Sequence, residues 1–320
     1  MTIRSYESRL STRNVWLFPL LFIIVTMTGH YLSGALHWPV ISPDHQRDFN
    51  TALGISLLTA VFWAGLRAIH QNVASTLIAI LVKRHQLSEF NRHRWTLSRK
   101  FKWQLSLCCC LAPLMPALYL VDQGLLPRID EPGVYMITLT AIPFWLLLLV
   151  FLWQTSTNTR YIFALAFDQS ASQPTDLDTY KSVFDMAIAN ARYALGAIAI
   201  LPVFWFNKPI PMLDMIIVSM AGSVLLIYLF IPVWQAYRRI SDLRQRIRLD
   251  VEHKVTNMVR DQARGDAIPD FSFRLESLFL LRDQATDFVQ TRQRLGFLFS
   301  LTWLPLSLFI VNLFERLMST

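Results

Sequence analysis

Across 320 residues the chain is 53% hydrophobic and only 16% charged, with a mean hydropathy of +0.37. Soluble proteins carry about 25% charge, so this composition excludes an ordinary water-facing globule. It equally excludes a disordered chain, a collagen-like fibre and a disulfide-stapled secreted module. The formal net charge of +8 is dispersed over several loops without a recognition motif, which argues against a nucleic-acid partner.

The expected fold is all-α: a polytopic membrane protein with seven transmembrane helices and a cytoplasmic helical hairpin. A helix crosses the hydrocarbon core with about 20 apolar residues, and seven segments qualify. Residues 15–36 form the first. It reads as an uncleaved span, because its apolar run is long for a signal peptide and His30 and Tyr31 interrupt the region where cleavage would fall. The second begins near Thr51 and stays apolar to Val82, interrupted only around Arg67, His70, Gln71 and Asn72. At about 46 Å it exceeds a core of about 30 Å; either it tilts and projects, or it breaks near His70. Residues 103–121, 134–155, 187–207, 215–237 and 295–314 supply the other five. Pro113, Pro116, Pro143, Pro202 and Pro305 put potential kinks in four of these helices.

Charge orients the chain. Lys and Arg accumulate on the cytoplasmic side of short loops. The N-terminal tail and the segments after the second, fourth and sixth spans hold 24 of them, against four in the alternate segments. The lipid bilayer is thus the first partner, and the expected placement is the inner (cytoplasmic) membrane, N-terminus inside and C-terminus outside. Residues 1–235 make a transmembrane domain of six spans, residues 236–294 the cytoplasmic hairpin, and residues 295–320 the seventh span with an outer C-terminus.

Within the hairpin, Leu243, Ile247, Val251 and Val255 recur at helical spacing on an otherwise charged helix. That is the stripe of a helix packed against one neighbour, and these four residues are the expected interface. A homo-oligomer or a cytoplasmic protein partner would dock there.

Catalytic chemistry finds little purchase. There is no HExxH, no GxSxG elbow and no phosphate-binding glycine loop. No Lys lies in a span, which excludes a retinal Schiff base. The three cysteines are consecutive, Cys108, Cys109 and Cys110, and point about 100° apart on a helix, so they cannot share one metal. His30 and His37 stack about two turns apart, roughly 10.8 Å, again too far for one ion. No catalytic residue, metal site or cofactor is expected. Asp122, Asp214 and Glu315 fall at outer ends of spans, leaving no mid-depth carboxylate to couple transport to protons. What remains inside is Arg67, His70 and Gln71, at i, i+3 and i+4 of one helix, and these are the candidate binding residues. The functional expectation is a non-enzymatic membrane component acting through its cytoplasmic helices in signalling, envelope assembly or defence. The alternative is a channel or carrier for a small anion or solute, with Arg67 and His70 on its path.

Overall fold

The computed structural model describes residues 15–38, 40, 42–122, 124–167, 177–206, 212–264 and 271–287. Among them every long element is a helix and no strand occurs. The helices are α1 (Leu17–Leu32), α2 (Pro43–Lys83), α3 (Phe90–Leu111), α4 (Leu114–Asp122), α5 (Pro132–Phe167), α6 (Leu177–Ile198), α7 (Met212–Ala263) and α8 (Phe271–Asp287). Short 3₁₀ turns lie at Leu87–Glu89, Leu126–Arg128 and Leu201–Trp205.

Four stretches are long and apolar enough to cross a membrane: Pro43–Lys83, Leu87–Asp122, Pro132–Ala166 and Thr179–Trp205. They coincide with the second to fifth apolar segments of the sequence. The first segment forms a shorter helix of 16 residues. The sixth is the opening half of α7, which runs on without interruption for 52 residues. The seventh lies outside the described residues.

α2 settles the question left open at His70. It is one helix of 41 residues, about 61 Å long. Ser42 caps its start, its hydroxyl accepting from the His45 amide at 3.2 Å, with Pro43 in the first turn and Asp44 favourably placed against the helix dipole. Nothing breaks the helix at His70, because Arg67, His70, Gln71 and Asn72 are polar without being helix breakers. It stops where His85 takes a left-handed φ of 54°. The third segment does break: α3 ends at Leu111 and α4 begins at Leu114, with Pro113 between them unable to donate to the helical ladder. Pro143, by contrast, sits inside a continuous α5.

The apolar stretch of α2 is 72% buried, against 28–39% for the other three, so α2 is the central post of the bundle. It packs on α1, α5 and α6. Phe62 meets Phe144 and Phe151 at ring-centroid distances of 6.0 and 5.3 Å. Gly65 lets that packing close: a Cβ there would stand 2.7 Å from the Phe151 ring.

Length divides the bundle into two layers. From Asp48 to Arg67, α2 is uncharged for about 28 Å; from Pro132 to Trp153, α5 covers about 32 Å; from Trp103 to Asp122, α3 and α4 cover about 29 Å. Each matches a hydrocarbon core of about 30 Å. Trp103 and Trp153 meet edge to face at 5.5 Å, and Trp63 stacks on Phe18 at 6.4 Å, as suits the amphipathic rings of a membrane boundary. Past that belt α2, α3 and α5 all continue at the same end. This end carries Lys83, Arg84, Arg92, Arg94, Arg99, Lys100 and Lys102 and is called the basic end below. α7 reaches it too, since the Arg239 guanidinium lies 5.5 Å over the Phe163 ring of α5.

Candidate functional site

Immediately after Trp153, α5 reads Gln-Thr-Ser-Thr-Asn-Thr, and all but Thr157 of these residues are buried. A helix accepts such a run when its hydroxyls turn back on their own backbone. The Thr155 hydroxyl donates to the Phe151 carbonyl and that of Thr159 to the Thr155 carbonyl, each at 2.7 Å. The amides then face outward for neighbours. Gln154 and Asn158, one turn apart, share a face.

Gln154 is the hub. Its Oε1 accepts from Asn158 Nδ2 at 2.8 Å and from His70 Nε2 at 3.0 Å. An amide oxygen only accepts, so this contact requires the proton of His70 to be on Nε2. Its Nε2 donates to Gln104 Oε1, and Gln104 Nε2 in turn donates to Thr157 Oγ1 at 3.1 Å. A second chain runs from Asn72 Nδ2 to Asn190 Oδ1 (3.2 Å) and from Asn190 Nδ2 to Thr159 Oγ1 (3.3 Å). Together these bonds tie α2, α3, α5 and α6 through neutral side chains, with no buried charge to desolvate.

Beside the hub α3 leans on α5 and parts from α2, and a cavity of about 520 Å³ opens between the three. Its polar lining comes from His70, Gln154 and Asn158 at the belt side and from Ser98 and Arg94 on the α3 wall. Its apolar lining includes Val73, Leu77, Ile78, Phe90, Leu97 and Phe101. Phe101 stands edge-on to the His70 ring at 5.2 Å and closes that end. Volume and lining both match small-molecule sites, which are mostly apolar with a few convergent polar groups.

Of the residues singled out in the sequence, only His70 lines this cavity. Arg67 turns to α1, where its guanidinium sits 5.2 Å over the Phe18 ring and Nη1 is buried without a hydrogen-bond partner. Gln71 is half-buried and does not line the cavity. The three therefore do not converge on one site. Positions i and i+3 differ by about 60° around a helix, enough to place Arg67 and His70 on either side of a seam between neighbours. Gln154, Asn158 and Arg94 went unread, although the pair of amides at i, i+4 in α5 was the available signal.

On the hairpin stripe, Val251 is buried and Ile247 and Val255 are half-buried; the side chain of Leu243 lies outside the described residues. α7 is in contact with α8 and also with α5 and α6. Among the described residues no group of three His, Cys, Asp or Glu side chains is placed to hold a metal ion. At the opposite end Arg128 binds Asp44 and Glu131, and its hydrogen bond holds the Glu131 carboxyl below the usual range. No protein-family model, no curated protein and no solved structure matches this chain.

Proposed function

We propose that the chain is a non-enzymatic integral protein of the inner (cytoplasmic) membrane that works through its basic end, by self-assembly or by docking a cytoplasmic partner. In this reading the chain crosses seven times, N-terminus inside and C-terminus outside, and α7 and α8 form the cytoplasmic hairpin. The observation that carries it is where the helices go. α2 continues about 24 Å and α5 about 21 Å past the membrane-length layer, and α7 continues about 36 Å beyond Arg239, all at the end with the excess of Lys and Arg. A chain that only filled a bilayer has no use for that ordered mass.

A photo-crosslinking residue at Leu249 or at Phe273, both exposed, tests the reading in intact cells. Discrete higher-mass adducts at these positions, absent at Leu20 in the membrane layer, are expected. A monomer at every position would remove it. The transport alternative has one observation in its favour, His70 and Arg94 on the wall of one cavity. Against it stands the aromatic layer of Phe62, Phe144 and Phe151 between that cavity and the opposite end. Anion flux in reconstituted vesicles that vanishes on His70→Ala would decide for transport.

A further inference from the structure

We infer that the cavity between α2, α3 and α5 is a binding site for a compact amphipathic monoanion, an apolar body bearing one carboxylate, sulfonate or phosphate-ester charge. The inference stands apart from the docking reading, since it needs only the cavity and its walls. Arg94 is the one charged side chain among the described residues that line it, so the cavity favours a single negative charge. No carboxylate on the wall repels such a ligand or neutralises Arg94 from within. Leu77, Ile78 and Phe90 form an apolar end that takes the body. At the other end Gln154 and Asn158, both buried, are held by their mutual bond and by His70, so the polar groups there are already in position.

The access route follows from exposure. Arg94 and Ser98 lie on the exposed side of α3, so the cavity opens past them. The helix there is amphipathic, with Trp95 64% exposed beside Arg99, whose guanidinium lies 5.5 Å over the indole. An amphiphile can therefore arrive from the membrane surface or from the aqueous phase, and the two sources share one chemistry.

The test uses the whole protein in phosphatidylcholine nanodiscs and two fluorescent probes of like shape. One is 1-anilinonaphthalene-8-sulfonate, an anion; the other is N-phenyl-1-naphthylamine, which lacks the sulfonate. Saturable binding of the anion above that of empty discs is expected, at least tenfold tighter than the neutral probe. Arg94→Gln weakens the anion about tenfold or more and leaves the neutral probe unchanged. Ala74→Phe fills the cavity and abolishes both; Ser98→Phe does the same from an exposed position, which guards against a folding failure. Adding phosphatidylglycerol to the discs assigns the source: competition with the anionic probe marks the leaflet, and indifference marks the aqueous side. Equal titrations for the native protein and both filled variants overturn the site. An Arg94→Gln protein that binds the anion as the native protein does overturns the ligand class.

Discussion

The same long helices are held together in two different ways along their length. In the membrane-length layer α2 meets α5 through aromatic rings and a glycine, with Phe62, Phe151 and Gly65 in contact. A turn or two further on, the same two helices meet through His70 and Gln154, with Asn158 bracing Gln154 from within α5. Apolar rings pack only in close register, and they leave no room for water or ligand. Amides tolerate a gap, because a bond of 3 Å can bridge where side chains do not interlock. The cavity therefore sits beside the amides and not beside the rings. Rigidity and ligand access are divided between two layers of one bundle.

The largest effect is expected from Phe151→Ala. Phe151 is buried, and removing its ring costs about 3–5 kcal/mol. Thermal unfolding in nanodiscs would show it. Gly65→Ala alone forces a Cβ against that ring and costs about 1–3 kcal/mol, yet in the Phe151→Ala background its cost should nearly vanish. Additive losses would mean that the two do not share one contact.

Gln154→Leu breaks the hub and strips His70, Asn158 and Gln104 of a partner at once. The expected loss is about 2 kcal/mol, below that of Phe151→Ala, because the neighbouring cavity gives His70 and Asn158 an alternative to an unpaired burial. If Gln154→Leu proves the more damaging of the two, the division into a rigid and an adaptable layer is wrong.

Asn72→Ala and Asn190→Ala test the outlying chain. Each is expected to cost about 1 kcal/mol, and the double variant little more than either alone, since one bond joins them. The smallest effect belongs to the opposite end. Glu131 is held ionised by Arg128, so its contribution is fully present above the ordinary Glu pKa of about 4.3 and is lost as pH falls below it through the lowered folded value. The melting difference between Glu131→Gln and the native protein should be slight at pH 7 and close further by pH 3.

How much of this was legible follows the same division. Continuous apolar runs announce helices directly, so the four membrane-length stretches could be read from residues alone. The basic-end layer was harder. From sequence the fourth span ends near Thr155, because a polar run after Trp153 looks like an exit into water. α5 instead continues to Phe167, the Thr155 and Thr159 hydroxyls satisfied by its own carbonyls, Asn158 by Gln154, and Gln154 by His70 and Gln104 of other helices. Spacing alone makes Arg67 and His70 one site, because they are close on one helix. Which neighbour lies on each side of that helix is set by tertiary packing, and no local spacing records it.

Arg84 closes α2 with a consequence for how the bundle can move. Its guanidinium donates to the Leu165 and Ala166 carbonyls at 2.9 and 2.8 Å, taking up acceptors that the end of α5 leaves unpaired. At the far end of α2, Asn50 and Gln46 grip the carbonyl of Phe206, and Asn50 also that of Phe204. The post is thus latched at both tips to backbone. A piston stroke of one helical turn, about 5.4 Å, would tear both latches, and rotation of α2 about its own axis would swing Arg84 off its carbonyls. The remaining soft motion is a splaying of α3, which touches α2 far less than α1, α5 and α6 do, like a door hinged at Pro113.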